Sequence, residues 1–297
     1  MDVEIRQLKV LEAVVRCGGF SAAAREIGST QSSVSKAILQ LEHECGEPLL
    51  ERLPYGVALT DAGRVVLERA RVILEQRELA RADLLALRGL EAGRLRIGMP
   101  PIGSGPLFAP VFAEFLRRYP RVELDLREGG GRRLEEAVQA GEVELAATML
   151  PAPEVFGAHQ VCDEPMMAVL PAQHPLAGRE RLRLAELADT PCLLYTPGFV
   201  INRMITSAYA RRGLKLVEAA RGSQPDFMMA LASAGLGVTY LPRLMLAGQA
   251  RVAAALVEEP EFRWRLGLIW RREAALSPAA RRFLEITRAR YPLPADS

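Results

Sequence analysis

The apolar positions of this chain change their period along its length. From Ile5 to Val15 they recur at helical spacing, with Ile5, Leu8, Leu11 and Val15 on one predicted face. Asp2 is placed to cap this helix, and Gly18-Gly19 end it. A shorter helical pattern follows, with Ser21 as its expected cap and small residues Ala23 and Ala24 on its packing side. Gly28 breaks it after Ile27, where a left-handed backbone turn costs glycine little. Thr30 then caps a further helix, with Val34, Ala37, Ile38 and Leu41 inward and Gln31, Ser32, Ser35, Lys36 and Gln40 opposite. Gly46 stops that helix, and Pro48 prevents its resumption. Arg52 to Leu59 reads as a short hairpin with Pro54 and Gly56 at its tip.

A long helix is predicted from Thr60 to about Leu90. Val66, Ala70, Ile73, Ala80, Leu84 and Leu87 sit on an alternating three-four repeat, a stripe suited to pairing with another helix. Gly89 and Gly93 mark a hinge. Beyond it the pattern alternates between strand and helix. Leu95, Ile97 and Met99 alternate as a strand, Leu107 to Phe115 as a helix, Val122, Leu124 and Leu126 as a second strand. A helix around Leu134, Ala137 and Val138 and a strand at Val143 to Ala147 complete a first α/β unit. Apolar runs at Met166–Leu170, Cys192–Tyr195 and Gly237–Leu241, with helical stretches between, imply a second one.

Two short helices across a tight turn, the second with a buried stripe and short polar donors outside, suit a helix laid in a DNA major groove. The matching residues include Phe20, Ser21, Ala23, Ala24, Gln31, Val34, Ser35, Ile38, Leu41, Glu42, Gly46, Leu49, Arg52, Leu59, Thr60 and Gly63. On these the chain resembles the winged helix-turn-helix of LysR-type transcriptional regulators. The resemblance continues through His174-Pro175-Leu176-Ala177 and Gly235-Leu236-Gly237-Val238 with Pro242, essentially to the C-terminus. It implies an α+β protein overall: a DNA-binding domain over 1–59, a linker and dimerisation helix over 60–90, and an effector-binding domain over 91–297. The last resembles a two-lobed α/β periplasmic-binding-protein fold, with lobe I at 92–163 and 268–297 and lobe II at 164–267. DNA contacts are expected from Ser21, Thr30, Gln31, Ser32, Ser33, Ser35, Lys36, Gln40 and Arg52. Partners implied are double-stranded promoter DNA, a small-molecule effector, a second copy of the chain and, beyond the dimer, a tetramer; RNA polymerase is an open option.

Charge qualifies the DNA reading. The net charge is +2 over 297 residues, and the first 58 carry six cations, Arg6, Lys9, Arg16, Arg25, Lys36 and Arg52, against eight anions. Affinity must come from a few placed cations, helix amino ends and dimerisation. No basic-then-apolar signal layout and no apolar run of about 18 residues occurs, so the expected location is the cytoplasm. Cys17, Cys45, Cys162 and Cys192 form no metal-binding spacing, and no metal or cofactor is expected. Gly129-Gly130-Gly131 lacks the lysine of a phosphate loop and reads as a strand-to-helix turn. With His43, His159 and His174 scattered and no nucleophile elbow, an enzyme is not expected.

Ligands of open α/β sheets sit outside the carboxyl ends of strands. Three such ends supply Pro100, Ile102, Gly103 and Ser104; Thr148; and Pro197, Gly198, Phe199, Asn202 and Arg203. Ser223 and Gln224 begin another helix that could face the cleft. Free amides at helix starts favour a small organic anion. Two other functions compete: a redox-sensing regulator using Cys162 or Cys192, and a solute-binding or metabolic α/β protein whose N-terminal helices only assemble subunits.

Overall fold

The computed structural model describes residues 3–53, 56–87, 93–247 and 252–293. The chain divides into two compact units, 1–90 and 91–297. In the first, α1 (Ile5–Arg16), α2 (Phe20–Glu26) and α3 (Gln31–Cys45) precede a hairpin of β1 (Leu50–Leu53) and β2 (Gly56–Leu59), then α4 (Asp61–Leu87). Helix α1 starts at Glu4, whose N–H donates to Gln7 Oε1 at 2.8 Å; Asp2 lies outside the described residues. Its inner face is wider than predicted and rotated. Leu8, Val10, Leu11, Ala13 and Val14 are buried, while Ile5 is exposed, because α1 packs against α2, α3 and α4. Ser21 does not cap α2. That helix begins at Phe20 with Gly19 as its cap, leaving Ser21 exposed in the first turn. Thr30 does cap α3, accepting from the Ser33 N–H at 3.2 Å, and Gly46 ends α3 in the left-handed conformation.

Polar contacts fix the hairpin to α3 and α4. Glu42 accepts hydrogen bonds from the N–H groups of Leu49 and Leu50 at 2.8 and 3.1 Å. Thr60 donates to Pro48 O at 2.7 Å and accepts from Gly63 N–H at 2.9 Å. Gly63 is obligatory, since a Cβ there would lie 2.0 Å from Leu49 O. The hairpin tip, Pro54 and Tyr55, and the hinge glycine Gly89 lie outside the described residues.

The second unit begins with β3 (Gly93–Met99), α5 (Ser104–Arg118), β4 (Val122–Glu128), α6 (Gly131–Gln139) and β5 (Leu145–Met149). There follow β6 (Phe156–Leu170), β7 (Arg181–Leu182), β8 (Cys192–Tyr195), α7 (Val200–Arg211), β9 (Glu218–Gly222) and α8 (Pro225–Ser233). It closes with β10 (Thr239–Pro242), β11 (Ala253–Val257), β12 (Arg263–Arg271) and α9 (Pro278–Arg290). Strands β4, β3 and β5 are parallel, β12 runs antiparallel to β5, and β6 pairs with β12.

Strand β6 belongs to two sheets. Phe156–Pro165 pairs with β12, and Met166–Leu170 pairs antiparallel with β10 and β11. Pro165, which cannot donate to a ladder, sits at the changeover. A register shift at Leu266/Gly267 interrupts β12 opposite Gln160–Cys162. Beyond β6, β11 pairs with β7, and β8 pairs with β9 and bridges to Val238 beside β10. Helix α9 returns the chain to the first part of this unit, where Phe283 contacts the rings of Phe112 and Phe115. Among the described residues no helix is long and apolar enough to cross a membrane.

Candidate functional site

The first candidate surface is the outer side of α3. Val34, Ile38 and Leu41 are buried on the inner side, as the spacing requires. Gln31, Ser32, Lys36 and Gln40 are exposed and Ser35 is half-buried. The hydroxyls of Thr30, Ser32 and Ser33 cluster at the helix start, with Thr30 Oγ1 at 3.0 Å from Ser32 Oγ and 2.8 Å from Ser33 Oγ. The cap uses Thr30 itself, so Ser32 and Ser33 hold the first turn rather than stand free. Leu39 shares the outer side at 59% exposure, an apolar group with nothing of its own unit to cover it. Arg16 is tied up on Glu26. The backbone of Arg52 lies in β1, and its side chain is outside the described residues.

On α4 the predicted seam divides. Ala70 is 1% exposed and, with Leu67 and Leu74, belongs to the core of its own unit; Val66 is half-buried against that core. These are corrections to the dimerisation stripe: α1 needs a partner within the chain, and the early turns of α4 supply it. Ile73, Ala80 and Leu84 are exposed, joined by Val65 and Val72, which the repeat did not single out. The side chain of Leu87 lies outside the described residues.

In the second unit a shallow cleft is lined by Pro100, Pro101, Ile102, Gly130, Gly131, Thr148, Met149, Phe199, Val200, Ile201, Trp264 and Leu266. Helices α5, α6 and α7 start at or beside it, capped at Gly103, Gly130 and Phe199, and none has a side-chain cap. The leading amides of a helix lack the usual partner one turn back, and Gly131, Val200 and Ile201 put the first turns of α6 and α7 on the lining. The Asn202 N–H of α7 already donates to Phe199 O at 3.2 Å. Helix α5 starts beside the lining with Pro106, which has no N–H, at its third position. The walls are otherwise apolar. Thr148 is buried and donates to Glu135 Oε1 at 2.9 Å, and among the described residues no lysine, arginine or histidine lines the cleft.

The structure brings together Pro100, Ile102, Thr148 and Phe199 of the predicted effector residues, with Gly103 and Ser104 at the adjoining helix start. The Ser104 hydroxyl donates to Pro100 O and so braces its own turn. Pro197 and Gly198 are exposed at the neighbouring turn, and Arg203 points outward from α7. Ser223 and Gln224 stand exposed beside the carboxyl end of β9, away from the lining; Asn202 also does not line the cleft.

Sequence reasoning missed two features of this place. Gly130 and Gly131, read as an ordinary turn, lie where α6 meets the turn before α7. A Cβ on Gly130 would be 2.6 Å from Gly198 O, and one on Gly131 3.0 Å from both Thr148 Oγ1 and Val200 Cγ2. Trp264 reaches the cleft from a strand distant in sequence from every other lining segment but Leu266. The thiols do not favour redox chemistry. Burial pushes Cys162 up to about 11 and Cys192 up to about 12, away from the reactive thiolate.

Both parts of the chain match known families. Residues 5–64 match the model of the bacterial regulatory helix-turn-helix protein, lysR family, and residues 88–292 the LysR substrate binding domain. The chain belongs to the LysR family. It is thus a DNA-binding transcriptional regulator with an effector-binding domain. Among LysR relatives it is 32% identical over 291 residues to the uncharacterized regulator YwbI of Bacillus subtilis, covering 97% of this chain and 96% of that protein. It is 30% identical over 293 residues to the regulator BudR of Raoultella terrigena, covering 96% and 100%. Its fold is similar to that of a full-length OxyR variant of Pseudomonas aeruginosa, with a TM-score of 0.75, 20% identity and 99% and 96% of the chains covered. The LysR-family regulator CbnR follows with a TM-score of 0.65, 23% identity and 97% and 99% covered.

Proposed function

We propose that this LysR-family regulator reads promoter DNA with the outer side of α3 and is controlled by a small organic anion held between the two lobes of its second unit. Gln31 and Ser35 carry the base contacts, Lys36 and Arg52 phosphate contacts, and the exposed apolar side of α4 around Ile73 and Leu84 joins two copies. A two-fold pair of α3 helices then reads a two-fold site. A promoter reader works where the DNA is, which places it in the cytoplasm. CbnR, whose fold this chain shares, was solved in complex with its target DNA, and that precedent supports the DNA side of the reading.

The observation that carries the effector side is the presence of two helix starts without side-chain caps, those of α6 and α7, on the lining of one apolar cleft, with the start of α5 beside it. Such amides stabilise negative charge without a counter-charged side chain. Thermal unfolding of the full chain against a panel of small carboxylates tests it. A ligand at 100 times its dissociation constant stabilises the protein by about 2.7 kcal/mol, well within detection. The same ligand must change the affinity for, or transcription from, the DNA upstream of the protein's own gene. A panel without a stabilising carboxylate, or one whose binding leaves DNA and transcription untouched, rejects the reading.

A further inference from the structure

The indole N–H of Trp264 is a buried donor without a hydrogen-bond partner among the described residues. The residue is 3% exposed, lines the cleft, and has its Nε1 at the start of α5, 3.1 Å from where a Cβ on Gly103 would sit. An unpaired buried donor costs the folded protein stability that a bound acceptor restores. We infer that Trp264 is the specificity-determining donor of the cleft, and that the ligand class is a monocarboxylate with a compact apolar body. This rests on the proposal that the effector occupies this cleft.

The chemistry of the walls sets the class. One end of the space offers the Trp264 N–H, with the start of α5 beside it, and this donor suits a single acceptor group. The rest is Ile102, Met149, Phe199, Val200, Ile201 and Leu266, which reward burial of hydrocarbon. The cleft's hydroxyl, on Thr148, already donates to Glu135. A second carboxylate or a phosphate would meet no lining cation and would approach the Glu135 carboxylate. A sugar would leave its hydroxyls unpaired against apolar walls.

The chain has two tryptophans, Trp264 and Trp270. In the full-length Trp270→Phe protein all tryptophan emission comes from Trp264. We expect phenylacetate or isocaproate at millimolar concentration to shift that emission and raise the melting temperature, with succinate and phosphoglycolate doing neither. Trp264→Phe should bind the same monocarboxylate roughly tenfold more weakly while melting cooperatively. Should that variant fail to fold, the emission shift in the Trp270→Phe protein decides alone, since position 264 is untouched there. Tighter binding of either dianion, binding of neither monocarboxylate, or full affinity in folded Trp264→Phe overturns the inference. Val200→Phe, which fills the cleft, separates the two levels. If it abolishes binding of a dianion, the cleft stands and the monocarboxylate falls; if a bound ligand ignores it, the cleft reading itself fails.

Discussion

Replacing Gly130 by alanine adds one methyl group at the point where the two lobes touch. The backbone at Gly130 has φ −71° and ψ 156°, which alanine adopts freely, so the effect is purely steric. The new Cβ would stand 2.6 Å from Gly198 O, and ordinary contact begins near 3.4 Å, so one backbone must retreat by about 0.8 Å. Overpacking of this kind costs typically about 1–3 kcal/mol. For a folded unit of this size each kcal/mol lowers the melting temperature by about 2–4 °C, which gives an expected drop between about 2 and 12 °C. Neighbouring glycines supply the controls. A Cβ on Gly129 meets nothing nearer than 3.5 Å, so Gly129→Ala should be neutral within about 0.5 kcal/mol. Gly131→Ala, with contacts at 3.0 Å, should fall between them. The assay is thermal unfolding of the three full-length variants beside the parent. Equal melting of all three would refute the reasoning, because it would mean that the lobes do not meet through Gly130 and Gly198 in solution.

On the DNA side, Gln31→Ala and Ser35→Ala should each cost about 1–3 kcal/mol on the operator and little on random DNA. Lys36→Ala should instead reduce the slope of log affinity against log salt by about one, measured by fluorescence anisotropy. On α4, Leu84→Glu or Ile73→Glu should give a smaller species in sedimentation with the fold intact, whereas Ala70→Glu should unfold the first unit, since it buries a charge in the core. Cys162 and Cys192 should resist thiol reagents at pH 8 in the native protein and react on unfolding. Because burial holds both above the ordinary thiol value of 9.0, their contribution to stability is complete below pH 9 and is lost as pH rises toward 11–12, so urea midpoints should decline over that window.

Much of the DNA-binding unit was legible because its signals are local. Thr30, Gly46 and the spacing of Val34, Ile38 and Leu41 each act within a few residues of themselves. Ser21 misled because a serine beside a small-residue helix looks like a cap, yet Phe20 already belongs to the helix. The seam on α4 was half legible. Periodicity shows that Ala70 and Leu84 are apolar and suitably spaced, but not that α1 claims one and leaves the other bare. In the second unit the early strands announced themselves by alternation. The first half of β6 did not, with Gln160, Asp163, Glu164 and Pro165 in its run. The cleft lining was legible at Ile102 and Phe199, which follow strand ends, and at Thr148, near the carboxyl end of β5. Trp264 and the contact of Gly130 with Gly198 were not, since each depends on segments brought together from far along the chain.

The sharing of β6 between two sheets bears on how such a protein can be taken apart and recombined. A cut near residue 163, where lobe I would give way to lobe II, falls inside a continuous strand. It would part β12 from Phe156–Asp163, most of its ladder partner, and leave the β6 segment that β10 and β11 pair with as a short stub cut off from the rest of its strand. Each fragment would carry a long raw sheet edge, prone to pair with other chains rather than to fold. Grafting ligand preference from one relative to another should therefore succeed when 91–297 is exchanged as a block. Swapping one lobe alone would ask a single strand to satisfy two unrelated sets of neighbours.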